Sequence, residues 1–163
     1  MPVVAPPIRI LLITARPEDA ACAYIDHRVS ALPLVQAMES LPGLVQIEIL
    51  TPPTLPALAQ ALEEARAAGA PYHVVHFDGH GVYDRRVGLG GLCFEDPQDT
   101  GKLEGRRHIT ITTDELGPLL RDYRIPLVFL EACQSAQAEQ ASESVASALL
   151  RVGIVLRLAL FRG

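Results

Sequence analysis

A histidine and a cysteine, each set at the end of an apolar run, form the pair of side chains in this sequence best suited to covalent chemistry. The first string is His76-Phe77-Asp78-Gly79-His80-Gly81, preceded by Tyr72-His73-Val74-Val75. The second is Leu130-Glu131-Ala132-Cys133-Gln134-Ser135, preceded by Ile125-Pro126-Leu127-Val128-Phe129. Neighbouring parallel strands of an α/β sheet end at the same edge, so an imidazole and a thiol placed there can meet. The thiolate would attack a carbonyl, and the imidazole would polarise the thiol and later protonate the leaving group.

The elements that must position this pair are legible as alternating strands and helices. Ile8 to Ile13 reads as a buried strand, since short β-branched runs suit a sheet covered on both faces. A polar loop follows from Thr14 to about Val29. Ser30 then caps a helix carrying Leu32, Leu34, Val35, Met38 and Leu41, which Pro42-Gly43 ends. Val45 to Leu50 alternates as a second strand, and Leu55 to Ala68 forms an Ala-rich helix closed by Gly69. The third strand spans Tyr72 to Phe77, and Val82 to Phe94 is expected to fold as a hairpin at the sheet's edge. Asp96 to Arg107 reads as a polar, mobile stretch. Thr113 caps a helix to about Arg121, Leu127 to Leu130 is the fourth strand, and a last helix covers about Glu139 to Arg151. This order predicts an α/β fold with a doubly wound, mainly parallel sheet in one domain.

Bulk composition narrows the function classes. A chain of 163 residues that is 49% hydrophobic and 20% charged has a globular rather than a disordered composition. Its net charge of −5 gives no electrostatic footprint for direct nucleic-acid binding. No apolar run reaches membrane-spanning length and the first residues do not resemble a signal peptide, so no membrane association is expected. The three cysteines, Cys22, Cys93 and Cys133, suit a reducing cytosol better than a disulfide framework.

The two strings together resemble the CHAT branch of the caspase-like cysteine peptidases, bacterial relatives of caspases and separase. The segments RILLITARPEDA, YIDHRVSALPLVQAM and SESVASALL are also similar to that branch, so the likeness runs from about residue 8 to residue 152. It implies a caspase-like three-layer α/β/α sandwich and hydrolysis of peptide bonds in a protein or peptide substrate, often under the control of a regulatory or sensor protein. His80 matches the family's catalytic histidine and Cys133 its nucleophile. Gly81 matches the position whose backbone N–H, with that of Cys133, forms the oxyanion hole. Glycine also permits the close approach that a reacting carbonyl needs. The family works with a Cys–His dyad, and no cofactor is implied.

Substrate choice can be read one step further. Glu131 lies two residues before Cys133, on the same side of an extended strand. In caspases that position is an amide residue beside the S1 pocket, and in several relatives specific for basic residues or Asn it is acidic. A carboxylate there would favour Lys or Arg at P1. Arg28 or Arg16, in the loop after the first strand, would instead add positive charge to the pocket, as an arginine of the equivalent caspase loop does. A basic P1 residue is the expectation, with Glu131 as a solvated or structurally paired carboxylate left open as the alternative.

Other residues read as structural. Cys22 and Cys93 have no base nearby in sequence. His73, His76 and His80 match no zinc-ligand spacing, since His73 faces opposite to His76 along a strand. His76 is expected to hydrogen-bond within the sheet edge, and Gly88-Leu89-Gly90-Gly91 reads as a hairpin rather than a phosphate cradle. The chain departs from the family after the last helix, where a core strand, a helix and a final cleft-lining strand are usual. Arg151 to Leu156 begins the strand, and Arg157 to Gly163 does not resemble its continuation. The expectation is therefore one caspase-like domain over residues 1–163 without the last strand–helix–strand portion. It would act as a peptidase or, alternatively, as a non-catalytic or partner-dependent interaction module. A redox or phosphatase-type enzyme is disfavoured, as neither a Cys-x-x-Cys nor a Cys-x₅-Arg pattern is present.

Overall fold

A computed structural model of the chain describes residues 5–20, 22, 25–26, 31–84, 89–132, 145–147, 149–151 and 155–160. Seven strands form one sheet: β1 (Ile8–Thr14), β2 (Val45–Ile49), β3 (Val74–Asp84), β4 (Leu89–Glu95), β5 (His108–Thr112), β6 (Leu127–Ala132) and β7 (Val155–Leu160). The helices are α1 (Ala31–Glu39), α2 (Leu55–Ala67) and α3 (Thr113–Asp122), with further helical residues at 145–147 and 149–151.

Five strands make a parallel sheet in the order β2-β1-β3-β6-β7. The third strand is longer than its apolar run predicts. Its first half pairs with β1 and β6, and its second half leaves them to pair antiparallel with β4, which in turn pairs with β5. Strand β5 is not legible in the sequence, because its alternation is short and follows directly on a polar stretch. The strand begun near Ile154 runs on to Leu160 and pairs with the whole of β6, from Leu127↔Val155 to Ala132↔Leu160.

Local chemistry explains the helix boundaries. The Thr54 hydroxyl caps α2 by accepting from the Ala57 N–H at 3.3 Å, and Gly69 closes that helix at φ +68°, where a side chain would be strained. At the start of α3 the carboxylate of Glu115 accepts from the backbone N–H of Thr112 at 3.0 Å, so the cap is Thr112, one residue before the expected Thr113. The expected cap of α1, Ser30, lies outside the described residues.

The core occupies one face of the sheet. Leu11 and Ile13 of β1, Val75 and Phe77 of β3, Leu92 and Phe94 of β4, Ile111 of β5, and Val128 and Leu130 of β6 alternate onto it. They pack against Leu58, Leu62 and Ala65 of α2, Leu116 and Leu120 of α3, and Val145 and Leu149. Right-handed crossovers put α2 and α3 on this face, because β2→β3 and β5→β6 advance the same way along the sheet. The β1→β2 crossover runs the other way and carries α1 to the opposite face. The result is an α/β/α sandwich of caspase-like type.

Candidate active site

The face of the sheet opposite the core mixes buried apolar side chains, Ile10 and Leu12 of β1, with polar ones. Along β3 the side chains of His76, Asp78 and His80 alternate onto it, as Phe77 and Gly79 alternate onto the apolar side. The registers extend this face sideways. His76 lies opposite Phe129 and Asp78 opposite Glu131 on β6, while His80 lies opposite Cys93 on β4. All five of His76, Asp78, His80, Glu131 and Cys93 are buried. His80 therefore sits where β3 leaves the parallel sheet for the antiparallel one.

Three carboxylates on this face are each met by a cation or a ring N–H. Asp78, 2% exposed, receives the Arg16 guanidinium through Nη2 at 2.5 Å, while Arg16 Nη1 donates to the backbone carbonyls of Asp78 at 2.8 Å and Ala15 at 2.9 Å. A buried carboxylate needs such a partner, because desolvation otherwise disfavours its charge. Arg16 is thus engaged by Asp78 at this sheet edge. Glu95 accepts from the Arg16 backbone N–H at 3.3 Å and faces Arg106 Nη1 at 3.4 Å.

Glu131 lies with its carboxylate 3.0 Å from Nε2 of His76. A carboxylate can only accept, so this nitrogen carries the proton. The His76 ring also packs at 39° on Phe129, with centroids 4.7 Å apart. Glu131 is in this way held within the sheet edge by a histidine of the same motif that carries His80.

Gly79 has a steric reason to be glycine. A Cβ there would lie 2.8 Å from the Phe77 ring and 3.3 Å from the carbonyl oxygen of Ala15. Ala15 also donates its N–H to the Asp78 carbonyl at 3.1 Å. The glycine of the motif thus reflects the close packing of the loop after β1 over the middle of β3.

Strand β6 brings the chain to the same edge, and its last residue, Ala132, lies opposite Gly79. Cys133 follows Ala132 in sequence, and both it and Arg28 lie outside the described residues. Gly81 is part of β3, half-buried and opposite Leu92.

The fold also assembles residues that lie far apart in the sequence. Asp19, Cys22 and His108 converge so that one potential ligand atom of each lies within 4.8 Å of the others. His108 opens β5, and its ring Nδ1 is 2.5 Å from Asp19, whose carboxylate also accepts the His108 backbone N–H at 2.7 Å. The thiols of Cys22 and Cys93 are buried and free of any disulfide, and burial pushes both above the ordinary thiol value. Only recognition of β5 would have revealed this grouping from sequence.

The stretch after β4 is tied down rather than open. Asp99, 1% exposed, receives the side chains of Arg107 and Lys102 and the Arg107 backbone N–H. Arg107 foremost, with Lys102, holds its carboxyl well below the usual carboxylate range.

The fold is an α/β sandwich in which His80 lies towards the carboxyl ends of the parallel strands, where open α/β sheets bind their ligands. The CHAT domain family model matches residues 14–159, and the chain belongs to that family, a caspase-like cysteine peptidase family. No curated protein and no solved structure matches it. Among the described residues no helix is long and apolar enough to cross a membrane.

Proposed function

We propose that this chain is a single cysteine endopeptidase domain working through a Cys133–His80 dyad. The observation that carries the reading is the parallel pairing of β3 with β6 as far as Gly79↔Ala132, which leads the histidine strand and the cysteine strand to one edge. In the reaction His80 takes the Cys133 proton, and the sulfur forms a bond to the scissile carbonyl carbon. The oxyanion is held by the backbone N–H groups of Gly81 and Cys133. The C–N bond then breaks as His80 returns the proton to the leaving amine, and water hydrolyses the thioester in the reverse sense.

A basic P1 residue is the favoured substrate class. Asp78 is balanced by Arg16, whereas Glu131 meets an imidazole. When that imidazole donates as a neutral group, the carboxylate keeps its charge for a lysine or arginine side chain. Arg28 belongs to the loop that would rim the pocket. A cytoplasmic setting accords with the free thiols Cys22 and Cys93, and a regulatory or sensor protein would control access to the site.

The test is turnover of a diversified fluorogenic peptide library by the full chain beside Cys133→Ala, His80→Ala and Glu131→Gln. The expected results are loss of turnover in Cys133→Ala and a fall of roughly a hundred- to ten-thousandfold in His80→Ala. Glu131→Gln should lose about tenfold or more of the preference for Lys or Arg, as a charged hydrogen bond becomes a neutral one. Preference for Asp at P1 would overturn the Glu131 assignment and keep the peptidase. A folded chain without turnover would overturn peptidase activity of the isolated chain and favour a partner-dependent interaction module.

A further inference from the structure

We infer that Asp19, Cys22 and His108, with Cys93 beside them, form a binding site for a divalent cation of the zinc class, separate from the Cys133–His80 dyad. The donors come from two parts of the fold: the loop after β1 supplies Asp19 and Cys22, and β5 opens on His108. One potential ligand atom from each of Asp19, Cys22 and His108 already lies within 4.8 Å of the others. Cys93, with 0% exposure, lies on β4, the strand that pairs with β5.

The donor set selects the ion. A thiol, an imidazole and a carboxylate suit a zinc-class centre, whereas calcium and magnesium take oxygen ligands. Ligand atoms about a tetrahedral zinc are roughly 3.3–3.8 Å apart, given bonds of about 2.0–2.3 Å. The observed spread of up to 4.8 Å closes to that separation by an inward movement of about 1 Å, within reach of side-chain rotation.

An ion pair between Asp19 and His108 would alone tie the loop to β5, but it gives no use to the buried Cys22 thiol alongside. A cation would draw the Cys22 thiol into coordination as a thiolate and release its proton to solvent. Because Cys93 lies opposite His80 in the strand register, the ion would sit on the face that carries His80. It would fix the loop that delivers Arg16 to Asp78.

Cobalt(II), followed by zinc, probes the site directly on the full chain after removal of metal with a chelator. One equivalent of cobalt should produce thiolate-to-metal charge-transfer absorption and the visible bands of a tetrahedral centre, both abolished by zinc. Cys22→Ser and His108→Ala, verified as folded by circular dichroism, should bind at least about 100-fold more weakly, since even outer-shell changes cost up to that much. Should Cys22→Ser not fold, Asp19→Asn, at a half-buried loop position, reads the same loss. Cys133→Ala and His80→Ala should retain the bands. A folded chain that gives no thiolate band would overturn the site. So would bands that survive Cys22→Ser and vanish in Cys133→Ala, which would locate the metal at the dyad. The spectrum is independent of peptide turnover, so this inference and the peptidase reading fail separately.

Discussion

The two faces of the sheet are built from the same strands and hold together by different means. On one face Leu11, Ile13, Val75, Phe77, Leu92, Phe94, Val128 and Leu130 pack against α2, α3 and the residues around Val145. Their contribution is area removed from water, which needs no particular partner. On the other face His76, Asp78, His80, Cys93 and Glu131 are equally buried, and there each charge depends on a specific neighbour. Period-two alternation lets one strand serve both purposes: Phe77 anchors the core while the residues on either side, His76 and Asp78, face the chemistry. The apolar face supplies the rigidity that a preorganised site requires.

The sharpest way to break this contrast is to remove Phe77, which is 2% exposed and packs on Phe94 with ring centroids 5.2 Å apart. Phe77→Ala should cost about 3 to 5 kcal/mol, measured by urea denaturation. A loss below about 1 kcal/mol would mean that the core relaxes around this position.

A smaller effect is expected on the other face. Arg16→Met takes the guanidinium from a carboxylate that is 2% exposed and should cost about 3 kcal/mol. The double variant Arg16→Met/Asp78→Leu should recover most of that stability, because a buried pair replaced by apolar groups is often neutral. If the double variant is as unstable as the single one, the pair contributes to the fold itself and the functional contrast between the faces weakens.

The smallest effect is a pH dependence outside both faces. Arg107 and Lys102 depress the Asp99 carboxyl, so the folded state binds its proton less readily than the unfolded chain does. That stabilisation is complete above the ordinary carboxylate value of about 4 and is lost as pH falls from there through the depressed folded value. Thermal melts from pH 6 downward should therefore show a steeper acid-side decline in the wild-type chain than in Asp99→Asn. Parallel declines would remove Asp99 as the cause.

Much of the arrangement is legible in the amino-acid sequence alone. Hydrophobic runs bounded by Gly and Pro locate β1, β2, α1, α2, α3 and β6 to within a few residues. The motif around His80 and the one around Cys133 point to the family that the CHAT domain match confirms. Other features escape such a reading. Strand β5 has too few residues for its period to stand out, and without it His108 has no place beside Asp19 and Cys22. The second half of β3 carries glycines and polar residues whose extended shape depends on β4 lying alongside.

The division has a physical basis. Which side chains share a face follows from the period of the local chain, and a sequence states that period directly. Thus Phe77 was bound to oppose His76 and Asp78 whatever the rest of the chain did. Which groups meet across a face depends on strand register and on loops that return from distant positions, and those are settled by packing over the whole domain. The sequence by itself determined an α/β domain of the CHAT family with His80 at a strand edge. Only the tertiary structure decided that Arg16 neutralises Asp78, that His76 holds Glu131, and that the buried Cys22 thiol shares a corner with Asp19 and His108.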